Sequence, residues 1–135
     1  MKKVNLEKGE TLFHENQESD VMYYVVSGEI EIFTIVNGEM LELDLVKEGD
    51  IFGEMGLLLN ESRSATALAR EYTVLAAISR AELFTRVQSD SAFALKMVQR
   101  LAHKLRTANR AIKEQLGEKR SLEIIYGGIQ KAEVS

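Results

Sequence analysis

The 135-residue chain is 45% apolar and 28% charged with a formal net charge of −4, enough apolar material for one buried core and enough charge to stay in solution, so wholesale disorder is excluded. The acid excess disfavours nucleic-acid backbone as a partner, and the absence of cysteine removes disulfide staples, thiolate metal sites and cysteine nucleophiles. Charges interrupt every apolar stretch well short of a membrane span, and no signal peptide follows Lys2 and Lys3; the expectation is a cytoplasmic protein with neither membrane nor nucleic acid among its partners.

In chain order, Thr11-Leu12-Phe13 reads as a short strand. Val21 to Val26, rich in β-branched and aromatic types, reads as a central strand that stops at Ser27-Gly28. Asn37-Gly38 supplies the positive backbone angles of a two-residue hairpin turn. If Val36 faces Glu39 across it, Ile30 faces Leu45, Ile32 faces Leu43 and Thr34 faces Leu41, one apolar face, while Glu31 opposes Asp44 on a solvated one. Ser64 to Ala69 and Thr73 to Ile78 complete a set of short strands with frequent turns. The fold class predicted is mainly β with C-terminal α: an antiparallel, jelly-roll-like β-roll of the double-stranded β-helix type over about residues 5–79.

Ser79-Arg80-Ala81-Glu82 has the spacing of a capping box, so a short helix begins at Arg80. A second start at Ser89-Asp90-Ser91 opens a long helix reaching Gly117, in which Val98, Leu101, Leu105, Ala108 and Ile112 recur at three- and four-residue spacing. That stripe either packs on its own β-roll or forms the seam of a parallel homodimer, and its narrowness and length favour the dimer. Residues 1–117 make one domain, leaving 118–135 as a tail of unknown role. Its apolar residues between Ser121 and Gly128 suit docking against an unidentified protein partner.

The chemistry sits between Glu48 and Ala67. Gly53 permits close backbone approach, the Glu54–Leu58 turn can form a short helix presenting amides, and Arg63 returns a guanidinium fork. Amides with one bidentate Arg describe a site for a single anionic phosphate, and a carboxylate beside it suits sugar hydroxyls. Taken singly, each residue has a plainer reading: Gly53 and Gly56 as turn glycines, Arg63 as a solvated charge, Glu54 and Arg63 as a structural ion pair. Only their ordered combination argues for a site.

Phe52-Gly53-Glu54-Met55-Gly56-Leu57-Leu58 followed by Arg63-Ser64-Ala65-Thr66-Ala67 resembles the phosphate-binding cassette of cyclic-nucleotide-binding domains. Leu6 to Phe13, the Tyr23–Gly28 strand and the Gly49-Asp50 turn are similar to the bacterial catabolite-activator branch, so the resemblance covers about residues 5–115. It implies a non-enzymatic domain whose only small molecule is a cyclic nucleotide, with no further cofactor. Glu54 would hold the ribose 2′-hydroxyl and Arg63 the cyclic phosphate. Ser64, the Gly53 backbone and Met55 would support them. Ile30 and Leu43 would line the base, and Thr107 or Asn109 on the long helix would reach the purine. Relatives place Thr-Ser where Ala108-Asn109 stands. A Thr after the cassette Arg goes with guanine, so Ser64 favours cAMP over cGMP.

The resemblance further implies a sensor in which ligand orders the Glu54–Leu58 turn, shifts Leu57 or Leu58 and repositions the 79–88 helix. About fifteen residues remain after Arg120, too few for the DNA-binding domain such regulators carry. Two other readings stay open: a dimerisation or interaction module that binds no ligand, and a haem-type sensor of the same superfamily with His103 as axial ligand. A histidine metal centre is disfavoured, because His14 and His103 each lack a second histidine nearby.

Overall fold

A computed structural model of the chain describes residues 1–116; the Ser121–Gly128 segment expected to dock lies outside the described residues. The elements run β1 (Lys2–Leu6), β2 (Thr11–Phe13), β3 (Val21–Ser27), β4 (Glu29–Val36), β5 (Glu39–Lys47), β6 (Ile51–Phe52), α1 (Glu54–Leu59), β7 (Thr66–Ala69), β8 (Thr73–Ser79), α2 (Arg80–Ser89) and α3 (Ser91–Gln115). Two four-stranded sheets, ordered β1-β8-β3-β6 and β2-β7-β4-β5, carry only antiparallel pairings. This is the β-roll with C-terminal helices that the strand pattern predicts.

The core joins inward residues of both sheets. Val25, Ile30, Val46 and Leu75 are fully buried, each removing apolar surface worth about 2 kcal/mol. Ala69 and Ala67 on β7 stand opposite Ile30 and Ile32 on β4, so small side chains make room for large ones on the same sheet. β3 lies between β8 and β6, a central position as expected. The sequence reading missed β1 and β6: β1 is an edge strand in which Lys2 and Lys3 mask the alternation of Val4 and Leu6, and β6 is only two residues long.

The hairpin turn forms as predicted, with φ of 53° at Asn37 and 79° at Gly38. Its register holds from Val36↔Glu39 to Phe33↔Glu42 and then slips by one at a β-bulge around Leu43. Ile30 therefore faces Val46 rather than Leu45, Ile32 faces Asp44, and Glu31 faces Leu45. The slip removes the predicted opposition of Glu31 and Asp44 and brings Lys47 Nζ to 3.8 Å from the Glu29 carboxylate. Asp44 Oδ1 accepts the Leu45 N–H at 2.8 Å, holding the irregular backbone locally. Glu31, expected on the wet face, is buried, whereas Leu41 and Leu43, expected on the covered face, are each 50% exposed.

The capping box forms: Glu82 N–H donates to Ser79 Oγ at 3.2 Å and Ser79 N–H donates to Glu82 Oε1 at 3.0 Å. Asp90 Oδ1 accepts the Phe93 N–H at 3.0 Å and starts α3. Met1–Phe93 forms one compact unit, and a second begins at Ala94. Within the second, the α3 stripe is open, with Val98, Leu105 and Ile112 exposed by 61%, 64% and 51%. No helix among the described residues is long and apolar enough to cross a membrane.

Two glycines separate crowding from backbone strain. Gly28 has φ of +98°, and a Cβ there would lie 2.6 Å from both Thr73 Cα and Tyr72 O, whereas Gly9 has φ of +89° and open space. Gly9→Ala is expected to cost about 1 kcal/mol. Gly28→Ala, which must move the backbone of the buried Thr73, should cost about 3 kcal/mol or more. Urea denaturation of the two variants side by side checks the difference.

Candidate functional site

Gly53 joins β6 to α1 with φ of 78°. A Cβ there would approach Arg63 Nη1 to 2.7 Å. Left-handed backbone and close packing both select glycine. The next residue, Glu54, opens α1 and is fully buried. Behind the helix, a Cβ on Gly56 would collide with Ser19 Oγ and lie 2.9 Å from Glu61 O, so the loop before β3 buttresses α1. Asn60, at φ of 56°, ends the helix in left-handed conformation with its N–H donating to Gly56 O.

Arg63 lies ten residues on from Gly53. Its backbone is clamped by the β2–β3 loop: Asn16 N–H donates to Arg63 O, and Arg63 N–H donates to Gln17 O, both at 2.8 Å. That pairing is why the strand predicted from Ser64 begins only at Thr66. The side chain turns inward and is 6% exposed. Nη2 donates to Val21 O at 2.8 Å and Nη1 to Gly53 O at 3.2 Å. The guanidinium carbon lies 4.1 Å from the Phe13 ring centre and 5.6 Å from that of Tyr23. Two nitrogens of the fork expected to face an anion are thus engaged with main-chain carbonyls, and Nε is enclosed with no hydrogen-bond partner among the described residues.

Burial lowers the Arg63 pKa from its ordinary value, and Tyr23, Asp20 and Glu54 oppose that shift. Burial also raises the Tyr23 pKa, against the pull of the adjacent guanidinium. A cation shielded from water attracts an anion more strongly than it would in bulk solvent, and a carboxylate in its field subtracts from that attraction.

Of the predicted site residues, the fold brings Gly53, Glu54 and Arg63 together. Met55 and Ser64 flank them in sequence and are exposed. Ile30 belongs to the core cluster, while Leu43 stands at the bulge, half exposed. Thr107 and Asn109 are exposed on α3, in the second unit. The sequence reading passed over Phe13, Tyr23, Ser19 and Asp20. The apolar run of β3 marks a buried strand, but only the paired sheets show what Tyr23 touches.

The profile of a family described as the cyclic nucleotide-binding domain matches residues 3–90. The chain is 33% identical over 103 residues to the Cyclic AMP receptor protein of Thermus thermophilus, covering 76% of this chain and 48% of that protein. It is 39% identical over 83 residues to a cGMP-dependent protein kinase of Toxoplasma gondii, covering 62% of this chain and 8% of the kinase. The crystal structure of the Thermus thermophilus Catabolite Activator Protein superposes with a TM-score of 0.77 at 29% identity, over 84% of this chain and 54% of that one. The chain thus spans about half the length of the Thermus relative and a small part of the kinase.

Gly53→Ala is expected to push the guanidinium off the Gly53 carbonyl and strain the turn, costing about 2 kcal/mol. Gly38→Ala, at an equally positive φ but with nothing within 4 Å, should cost about 1 kcal/mol. Thermal denaturation of both variants measures the excess due to Arg63.

Proposed function

The chain belongs to the cyclic nucleotide-binding domain family, and we propose that it binds one cyclic nucleotide, cAMP in preference to cGMP, as a cytoplasmic, ligand-responsive regulatory module without catalysis of its own. The observation that carries this reading is the packing of Arg63 against Gly53, with the buried Glu54 adjoining in sequence and in electrostatic contact. One cation suits one phosphodiester charge. A carboxylate in the same field would repel a second phosphate and accept hydroxyl protons, which fits the ribose of a cyclic monophosphate.

In this reading Arg63 takes the phosphate through Nε–H and the hydrogens its two carbonyl bonds leave over, with the Gly53 main chain, Met55 and Ser64 around it. Glu54 takes the 2′-hydroxyl. Ile30 and Leu43 serve as base walls. Ser64 rather than Thr after Arg63, and the greater share of the chain matched by the Cyclic AMP receptor protein, support cAMP. The site residues pair no nucleophile with a base, which supports a binding role.

Because Nε is enclosed, entry of an anion requires the α1 turn to shift. Leu57, fully buried in that turn, carries the movement inward, and Asn60 at its end meets Arg80 of α2, with Nη2 to Oδ1 at 3.5 Å. The open stripe on α3 supports a homodimer through that helix, and the same surface favours a second reading, a dimerisation module that binds no nucleotide.

Calorimetric titration with cAMP and with cGMP tests the proposal: cAMP should bind more tightly, and absence of binding to both overturns it in favour of a module that binds no cyclic nucleotide. Arg63→Leu should abolish binding. It will not leave the fold untouched, because it strips donors from Val21 O and Gly53 O; about 1–3 kcal/mol of stability should go with it, so binding is measured where the variant is folded by circular dichroism. Glu54→Ala should bind cAMP and its 2′-deoxy analogue about equally, whereas the unmutated chain discriminates against the analogue.

A further inference from the structure

Arg63 is placed by groups that the cassette pattern does not contain. Phe13 closes β2 in one sheet and Tyr23 lies mid-strand in β3 of the other. Their rings stack at 6.1 Å and 24°, and Tyr23 stacks in turn on Phe52 at 5.3 Å and 24°. The guanidinium lies 4.1 Å from the Phe13 ring centre. A Cβ on Gly53 would sit 3.7 Å from Tyr23 Cδ2, so the phenol ring packs against the residue whose carbonyl Arg63 holds. Tyr23 is 9% exposed, its ring centre lies 5.6 Å from the guanidinium carbon, and its hydroxyl and the guanidinium influence each other electrostatically.

A flat ring under a flat cation restricts rotation about the last side-chain bonds, and a hydroxyl at its edge restricts sliding. We propose that Phe13 and Tyr23 are positioning residues that set the plane and height of the Arg63 guanidinium, and so decide which exocyclic oxygen of a bound cyclic phosphate it engages. This rests on the reading of Arg63 as the phosphate ligand and deepens it: the cradle spans both sheets, so the aim of the cation depends on their docking.

The two phosphorothioate diastereomers of cAMP, in which sulfur replaces one or the other exocyclic oxygen, report that aim. The unmutated chain should prefer one diastereomer by about tenfold or more. Tyr23→Phe keeps the ring and removes the hydroxyl; it should weaken cAMP binding about tenfold and bring the diastereomer ratio close to one. Phe13→Leu removes the other wall and should lower the ratio likewise, which keeps the test decisive if either variant folds poorly.

A ratio at the unmutated value in both Tyr23→Phe and Phe13→Leu overturns the inference, as does a ratio near one in the unmutated chain. Failure of the unmutated chain to bind cAMP itself is the distinct result that removes the functional reading and the inference together.

Discussion

A guanidinium enclosed in a β-roll is the constraint around which the rest of the unit is arranged. Removing a cation from water is costly unless its donors are met and its charge lies in a favourable field. Arg63 meets them at Nη1 and Nη2 and in its surroundings, with parts drawn from distant places in the chain: carbonyls of Val21 and Gly53, the ring of Phe13, and the charge of Glu54, while Nε stays enclosed without a hydrogen-bond partner among the described residues. The cation thus ties β2, β3, the start of α1 and the loop before β3 to one point.

That tie explains local features that otherwise look unrelated. Gly53 is glycine because its backbone turns left-handed where the guanidinium leaves no room for Cβ. Gly56 is glycine because Ser19 presses on α1 from behind. The loop from His14 to Asp20 runs along Arg63 and bonds its main chain on both sides, which delays the onset of β7. A short helix, too brief to be stable alone, is kept in place by packing rather than by propensity. Such an element is suited to moving when the charge it surrounds acquires a partner, and Asn60 gives its far end a contact to α2.

Much of the fold was legible because its signals are local. The Asn37-Gly38 turn, the Ser79–Glu82 capping box, the Asp90 start of α3 and the apolar runs of β3, β7 and β8 between turns follow from residue types, backbone angles and spacing within a few residues. The bulge at Leu43 was not legible. Straight alternation from the turn predicts a register that opposes Glu31 and Asp44, and relieving it depends on how both strands meet the rest of the sheet. The Arg63 clamp was likewise invisible, being made of main-chain groups that any residue supplies.

Residue types and order alone pointed to Gly53, Glu54 and Arg63 as a group, because conformational freedom, charge and spacing are properties of the chain itself. They also determined a β-roll followed by helices, through periodicities of two and of three to four. Only the tertiary structure decided where the cation points and what surrounds it. Phe13 and Tyr23 are ten residues apart and on different sheets, and no local rule brings two rings and a guanidinium together; that juxtaposition arises when the sheets close over a common core.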